Sequence, residues 1–286
     1  MSVDYLVTGG RGQLGRAVAR EAARRGRTLC VTDTSSLRVE DLAAVRRWLV
    51  EQKPRFVLHG GAFTDVDGCE KEPHKAVAQN GTGTAHVADV CAELGIGLVY
   101  VSTDFVFDGR ATTPYREDHA TAPLSAYGRS KLLGEQALAA HDRANFYTLR
   151  TSWVFGPKGK NFPAAILARA RSGQPLKVVT DQVGRPTYTD DLAEAMFDLC
   201  EREAKGGIYH ASNEGQCSWH RFASDILAAA GLGHVAVGTM TSQELGRPAA
   251  RPAWSVLDTD KLAAVRGKRL PDYHDALRRY LKEESL

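Results

Sequence analysis

The chain has 286 residues, of which 43% are hydrophobic and 25% are charged. This balance is typical of a globular protein and excludes a disordered or fibrous chain, and the length allows one large domain or one domain with a smaller lobe. The 37 basic and 34 acidic side chains leave a net charge of only +3, which disfavours nucleic acid or a membrane surface as a partner. We therefore expect a small-molecule partner.

Short apolar runs alternate with helical periodicities along the first half of the chain. Nearly continuous apolar runs predict strands buried on both faces at 5–7, 29–31, 56–58, 98–101 and 146–149. Between the strands, apolar residues recur at helical spacing, as at Leu14, Val18 and Ala22. This alternation predicts an α/β fold with a Rossmann-like, doubly wound parallel sheet.

A glycine-rich stretch lies between the first predicted strand and the first predicted helix, with the sequence Gly9-Gly10-Arg11-Gly12-Gln13-Leu14-Gly15. In such a stretch, Gly9 allows a tight turn, Gly12 lets the backbone approach a pyrophosphate, and Gly15 lets the helix pack closely on the strand. Asp33 ends the second strand, 18 residues after Gly15, where a carboxylate can accept hydrogen bonds from an adenosine ribose. The stretch therefore predicts a dinucleotide site.

Polar side chains follow the strand at 98–101, at the sheet edge where parallel sheets bind ligands. Here the chain reads Ser102-Thr103-Asp104. We expect the Thr103 hydroxyl to polarise a substrate carbonyl, and Ser102 to point to the opposite side.

Tyr127 and Lys131 form a Tyr-x-x-x-Lys pair whose spacing places them on one face of a helix. A phenol exchanges protons poorly at neutral pH, and a nearby lysine cation is predicted to lower its pKa. Tyr127 and Thr103 together would place two donors on an oxygen that becomes negative during hydride transfer. The pair therefore indicates a proton donor for such a reaction.

The second half of the chain has shorter elements, separated by turns rich in glycine and proline. A strand is predicted at 207–210, where the chain can return to the main sheet. We expect a dinucleotide-binding domain at residues 1–155, completed by about 177–225. A smaller, mixed substrate-binding lobe is expected at 156–176 and 226–286.

The sequence also bears on the compartment. No apolar run approaches the roughly 20 residues of a membrane-spanning helix, and the first residues do not follow the pattern of a secretory signal. The cysteines are odd in number, lack a Cys-x-x-Cys pair and favour reduced thiols; they are Cys30, Cys69, Cys91, Cys200 and Cys217. The nine histidines lack metal-ligand spacing, so no metal site is expected. We predict a cytoplasmic protein.

Taken together, these residues resemble the extended short-chain dehydrogenase/reductases and, within them, the dTDP-4-dehydrorhamnose reductase family. The resemblance covers nearly the whole chain. It rests on the stretches 9–15, 62–67 with Glu70, 102–109, 127–131, 150–156 with 161–162, 181–187, and 251–252 before 257–258.

The resemblance implies that Thr103, Tyr127 and Lys131 are the catalytic residues and that the substrate is a nucleotide sugar. The reduced nicotinamide would give a hydride to the 4-keto carbon of a dTDP-4-keto-6-deoxyhexose, with dTDP-L-rhamnose or a close relative as product. The substrate is expected to contact Thr103, Asp104, Trp153, Asn161 and Gln182. The cofactor, NADPH or NADH, is expected to contact Gly9, Gly12, Gln13, Leu14, Gly15, Asp33, Arg38, Ala62, Thr64, Tyr127 and Lys131.

The chain departs from the family pattern at a few positions. Arg38 stands where the family usually has an acidic residue and would favour NADPH, whereas Asp33 favours NADH. Phe105 stands where sugar 4,6-dehydratases carry a glutamate, which disfavours dehydration. Trp254 is larger than the usual residue, and Trp219 is interpreted as a packing residue.

Two alternatives to the reductase stay open at this point. One is a non-catalytic, nucleotide-binding regulatory subunit, and the other is an extended-family epimerase or dehydrogenase acting on a different nucleotide sugar. The pattern also leaves the oligomeric state open, with a homodimer as one alternative.

Overall fold

The computed structural model describes residues 2–284 and contains a six-stranded sheet with three pairs of short strands. The strands are β1 (Tyr5–Thr8), β2 (Leu29–Val31), β3 (Phe56–His59), β4 (Gly97–Thr103), β5 (Phe146–Thr151), β6 (Val154–Phe155), β7 (Leu176–Val179), β8 (Val183–Gly184), β9 (Thr187–Tyr188), β10 (Gly207–His210), β11 (Cys217–Ser218) and β12 (Val237–Met240).

Helices cover both faces of the main sheet and build a smaller second unit. They are α1 (Gln13–Arg24), α2 (Leu42–Gln52), α3 (Val66–Lys71), α4 (Pro73–Ala76), α5 (Gly83–Leu94), α6 (Ala126–Ala139), α7 (Phe162–Arg171), α8 (Thr189–Glu201), α9 (Trp219–Ala229), α10 (Ser242–Leu245), α11 (Asp260–Arg266) and α12 (Tyr273–Glu283). A π-helical turn covers Val77–Thr82 and a 3₁₀ turn covers Asp104–Val106. None of the helices in residues 2–284 is long and apolar enough to cross a bilayer.

The main sheet is parallel, with the strand order β10-β5-β4-β3-β1-β2. Alternate residues of β1 enter different cores: Tyr5 and Val7 pack with α1 and α8, whereas Leu6 packs with α2 and α5. Burial on both faces explains the continuous apolar runs in the sequence. The predicted doubly wound parallel sheet is confirmed.

The strand order reverses beside β1, because the chain moves outward to β2 and then crosses back to β3. At such a reversal the loops that follow two neighbouring strands separate and leave a crevice at the carboxyl edge of the sheet. The glycine-rich stretch follows β1 and residues 60–64 follow β3, so both predicted cofactor segments lie at this crevice.

A second apolar cluster joins α7, α9 and α12 with β7. In it, β7 pairs in parallel with β12, from Leu176 opposite Val237 to Val179 opposite Met240. Of the region 177–225, α8 and β10 pack with the main sheet, whereas β7 and α9 pack in this second cluster. Segments of the region 177–225 therefore pack in both apolar clusters.

Candidate active site

Tyr127 and Lys131 lie on α6, whose first turn packs tightly against the turn that follows β4. Gly128 makes this approach possible, because a Cβ there would lie 2.2 Å from the Phe105 carbonyl oxygen. Ser125 caps the helix by accepting a hydrogen bond from the Gly128 N–H at 3.2 Å. As a result, the Tyr127 ring meets the Phe105 ring edge to face, with 5.6 Å between the centroids.

The Lys131 side chain is buried between α6 and β4. Its Nζ donates a hydrogen bond to the Val101 carbonyl at 2.7 Å and lies 4.2 Å from the centroid of the Tyr100 ring. Burial lowers the pKa of Lys131 to about 7, and the nearby Glu135 carboxylate opposes that shift. In the chain alone, the lysine charge is therefore lost as the pH rises through about 7.

The pKa of Tyr127 differs from the prediction. Burial raises it above the ordinary tyrosine value; the Thr103 hydroxyl lowers it in part and the Asp104 carboxylate raises it further. The predicted lowering of this pKa by Lys131 is not found in the chain alone, because burial dominates the shift and Lys131, with a pKa of about 7, is itself only partly charged at neutral pH. The phenol is therefore protonated at neutral pH.

Thr103 and Asp104 form a buried polar pair at the end of β4. The Thr103 hydroxyl donates to Asp104 Oδ1 at 3.0 Å and accepts from the Phe105 N–H at 3.2 Å. Ser102 turns the other way and donates to Glu135 Oε1 at 2.5 Å. Asp104 Oδ2 is buried and accepts no hydrogen bond of ordinary geometry in residues 2–284, although the Ser255 side chain lies near enough to the carboxyl to lower its pKa in part. Because an unpaired buried oxygen is costly, this atom indicates a place for a ligand hydroxyl.

Burial raises the pKa of Asp104 to about 6, which predicts a pH-dependent stability. A carboxyl whose pKa is higher in the folded chain than in the unfolded chain costs stability as the pH rises from the unfolded pKa to the folded pKa, because the unfolded chain loses its proton first; above the folded pKa the full cost is present. We expect Asp104→Asn to raise the free energy of unfolding at pH 7 by about 1–3 kcal/mol. The gain should shrink below pH 6 and vanish near pH 4, as measured by urea unfolding across this range.

Asp108 provides a matched control, because the pKa of its carboxyl is shifted in the opposite direction. Its carboxylate accepts from the Tyr115 hydroxyl at 2.7 Å and the Arg110 N–H at 3.1 Å, and these bonds lower its pKa. Asp108→Asn should therefore lose stability at neutral pH, with the loss fading in acid. A stability difference for Asp104→Asn that does not change with pH would contradict this interpretation of the buried carboxyl.

A cleft of about 640 Å³ runs along the carboxyl edge of the sheet. Gly9 adopts φ +71°, and a Cβ there would lie 2.9 Å from Gly61 Cα; a Cβ at Gly15 would lie 2.4 Å from Gly10 Cα. No side chain caps α1 at Gly12, so the first N–H groups of the helix are available to an anion. This bare backbone cradle fits the pyrophosphate of a dinucleotide.

Most of the predicted site residues line this cleft. They are Gly9, Gly12, Gln13, Leu14, Gly15, Asp33, Ala62, Thr64, Thr103, Asp104, Tyr127, Lys131 and Trp153.

Arg38 is not brought to the cleft. Leu37 packs into the core beneath β2, and Arg38 points to solvent, 3.8 Å from Glu40. Arg11 occupies the expected place instead, because it lines the cleft and forms an ion pair with Asp33 Oδ2. Sequence reasoning missed Arg11, although it lies inside the glycine-rich stretch.

A second cavity of about 360 Å³ lies between the two units. Four cations line it and, among the described residues, no carboxylate does; the cations are Arg169, Lys177, Arg247 and Arg251. Arg247 and Arg251 already pair with Asp67, which lies outside the lining, and the positive charge that remains suits an anionic ligand. The residues that line both this cavity and the cleft are Phe105, Trp153, Trp219 and Arg251. A ligand in the second cavity can therefore reach the cleft that contains Tyr127.

Two residues predicted to meet the substrate have other contacts. Asn161 lines neither cavity, because it caps α7: its Oδ1 accepts from the Ala164 N–H at 2.9 Å and its Nδ2 donates to the Gly156 carbonyl at 2.7 Å. An asparagine just before a Phe-Pro helix start is a recognisable cap signal. Gln182 lines the second cavity, but its side chain hydrogen-bonds Trp219 and Ser242.

Asn80 is a site-supporting residue that the sequence did not suggest. It lies in the π-helical turn, where its Oδ1 accepts from the Phe63 N–H at 2.8 Å and its Nδ2 donates to Ser130 Oγ at 2.9 Å. These bonds join the segment after β3 to α6. No local pattern predicts them, because the partners lie 17 and 50 residues away.

Comparisons with known proteins agree with this geometry. Residues 3–286 match the family model described as the RmlD substrate binding domain. The chain is 41% identical over 280 residues to the spore coat polysaccharide biosynthesis protein SpsK of Bacillus subtilis, covering 98% of this chain and 97% of that protein. It is 38% identical over 277 residues to the dTDP-4-dehydrorhamnose reductase of Streptomyces griseus, covering 96% and 91%. The solved Bacillus anthracis dTDP-4-dehydrorhamnose reductase in complex with NADP superposes with a TM-score of 0.94 at 33% identity, covering 99% and 100%.

Proposed function

The chain belongs to the RmlD substrate-binding domain family, and from this premise we propose that it catalyses NAD(P)H-dependent reduction of a dTDP-4-keto-6-deoxyhexose at its 4-keto group. The product is dTDP-L-rhamnose or a close relative. The proposal rests on one observation: the second cavity opens into the cleft beside Tyr127 and Thr103. The name of the Streptomyces griseus relative supports the same reaction.

The residues divide the chemistry between them. A bound NADPH or NADH supplies the hydride. Tyr127 donates its Oη proton to the carbonyl oxygen, and its raised pKa keeps the phenol in the form that a donor needs. The Thr103 hydroxyl turns from Asp104 Oδ1 to the same oxygen, so two donors stabilise the developing charge. Lys131 holds the cofactor ribose and the phenol through the N–H groups that Val101 does not use.

The cofactor is held by the carboxyl edge of the sheet in this proposal. The backbone of Gly9, Gly12 and Gly15 with the start of α1 binds the pyrophosphate, and Asp33 accepts from the adenosine ribose. Gln13, Leu14, Ala62 and Thr64 line the same cleft. The retained Thr103, Tyr127 and Lys131 argue against a non-catalytic regulatory subunit.

The proposal assigns a different ligand to each unit. Residues 1–155, with the parts of 177–225 that pack on the main sheet, bind the cofactor, and residues 156–176 and 226–286 contribute most of the substrate lobe. A cytoplasmic location and a homodimer stay predictions from the sequence. Light scattering after gel filtration tests the dimer.

A direct assay tests the reaction. The purified protein is mixed with dTDP-4-keto-6-deoxy-L-mannose and either NADPH or NADH, and the loss of reduced-nicotinamide absorbance is followed. We expect oxidation of the cofactor to match sugar reduction one to one. If neither cofactor is oxidised although both bind, the rhamnose assignment is wrong, and another nucleotide sugar or a binding role takes its place.

The Arg11 contact leads to a prediction about cofactor choice. A cationic partner at the ribose favours a 2′-phosphate, and hydrogen bonds to charged groups contribute about 1.5–3 kcal/mol. We expect Arg11→Ala to raise the Kd of NADPH by at least about tenfold more than the Kd of NADH. Calorimetric titration with both cofactors measures the difference without turnover.

Arg38→Ala is the matched control for Arg11→Ala. Because Arg38 lies outside the cleft lining and Arg11 lies within it, removal of the Arg38 side chain should leave the ratio of the two dissociation constants unchanged. If Arg38→Ala changes the ratio and Arg11→Ala does not, the earlier interpretation of Arg38 is the correct one.

A further inference from the structure

The sequence predicts that Trp219 is a packing residue. In the structure its side chain lines both the cleft and the second cavity. It begins α9, directly after the capping residue Ser218. Only a residue at the junction of the two spaces can line both of them. A sugar whose reacting carbon lies near Tyr127, and whose nucleotide extends towards the cationic cavity, must pass this junction.

The Trp219 ring is held in place by other aromatic rings. It stacks on the Trp153 ring with 3.5 Å between centroids and 8° between planes, and the Phe162 ring lies 4.5 Å away on a tilt of 57°. Trp153 adopts φ +48°, and a Cβ at Gly184 would lie 2.6 Å from its indole. A left-handed backbone at a tryptophan persists only where the surrounding contacts enforce it. The stack is therefore a rigid wall.

Hydrogen bonds fix the orientation of the Trp219 indole. Its Nε1–H donates to Gln182 Oε1 at 3.1 Å, Gln182 Nε2 donates to Ser242 Oγ at 2.8 Å, and Ser242 Oγ donates to Asp181 Oδ1 at 2.8 Å. A carboxylate can only accept hydrogen bonds, so Asp181 fixes the donor and the acceptor of each bond in this series. The Gln182 amide is consequently oriented with its oxygen towards Trp219.

We infer that Trp219 is a substrate-contacting residue whose indole edge packs against the apolar face of the bound hexose, and that Gln182 is a positioning residue which acts through Trp219. This inference rests on the proposed reductase function and assigns Gln182 an indirect role in place of the direct substrate contact expected from the sequence. Gln182 is only 5% exposed, and its amide oxygen and nitrogen are already hydrogen-bonded to Trp219 and Ser242.

Kinetics of three variants test the inference. Trp219→Leu should raise the KM for the keto sugar by about tenfold, with kcat and the Kd of NADPH little changed, because it removes binding that ground state and transition state share. Gln182→Leu should raise the same KM roughly threefold, because the Trp219 indole loses the hydrogen bond that fixes its orientation. Trp254→Phe is the control, since Trp254 lines neither cavity and its Nε1 donates to the Thr113 carbonyl.

A double-mutant cycle separates positioning from direct contact. Trp219→Phe keeps an aromatic ring but removes the Nε1–H, so Gln182→Leu added to it should produce no further rise in KM. If Gln182 contacts the sugar itself, the two effects will multiply, and the positioning role is wrong. Trp219→Phe also covers the case in which Trp219→Leu does not fold.

The stacked indoles provide a spectroscopic readout. Two parallel indoles in contact give a circular-dichroism couplet, which should disappear in Trp219→Phe, weaken in Gln182→Leu and stay intact in Trp254→Phe. An unchanged couplet in Gln182→Leu would overturn the positioning role. An active parent enzyme whose KM is unaffected by Trp219→Leu would overturn the contact, whereas a parent that reduces no keto sugar would overturn the proposed function instead.

Discussion

Tyr127→Phe is expected to lower kcat by about 10²–10⁴-fold, the usual contribution of a positioned general acid. The substitution removes one oxygen and keeps the ring that meets Phe105 at 5.6 Å, so the fold and the Kd of NADPH should change little. The loss should appear in kcat and in kcat/KM alike, since the proton transfer exists only in the transition state. Initial rates over a range of keto-sugar concentrations measure both constants.

Tyr209→Phe is the control for this loss. Tyr209 lies on β10 and donates its hydroxyl proton to the Lys205 carbonyl at 2.6 Å, outside both cavity linings. The variant Tyr209→Phe should have the same kcat as the parent enzyme. If Tyr127→Phe stays within about tenfold of the parent kcat, well short of the general-acid effect, another group donates the proton.

Arg150→Met should destabilise the chain by about 3–5 kcal/mol, because it leaves Glu135 buried without its cation. The Arg150 and Glu135 side chains are 2% and 5% exposed, and their closest nitrogen–oxygen distance is 2.7 Å. This pair links β5 to α6, and Ser102 on β4 donates to the same carboxylate. We expect Tm to fall by roughly 10 °C, as measured by calorimetry.

The double variant Glu135→Leu/Arg150→Met tests the reason for the loss. Replacing a whole buried ion pair with apolar side chains is often neutral or stabilising, whereas removing one partner is costly. The double variant should therefore regain much of the stability lost in Arg150→Met. If it is less stable than Arg150→Met, the unpaired carboxylate is not the cause.

The main sheet was predictable because its signals are local. Strands buried on both faces need continuous apolar runs, and β1, β2, β3, β4, β5 and β10 begin within one residue of their predicted positions. The glycine-rich stretch and the Tyr-x-x-x-Lys pair were equally readable, since each depends on spacing within one turn or one helix. These signals place the cleft and its predicted acid on the same edge of the sheet.

The rest depends on contacts between distant segments. Whether Arg11 or Arg38 faces the cleft follows from the burial of Leu37, which a charge pattern does not reveal. The stacking of Trp219 on Trp153 joins residues 66 positions apart, and the raised pKa of Tyr127 is caused chiefly by burial. In each case the outcome depends on tertiary packing, which the local sequence pattern does not reveal.

The most direct test of the central claim follows the hydride itself. The protein is incubated with dTDP-4-keto-6-deoxy-L-mannose and NADPH carrying deuterium at both C4 positions of the nicotinamide, and the sugar product is examined by mass spectrometry and NMR. We predict one deuterium per product molecule, located at C4 of the hexose. Product without deuterium at C4, or a sugar changed at another carbon, would contradict the account.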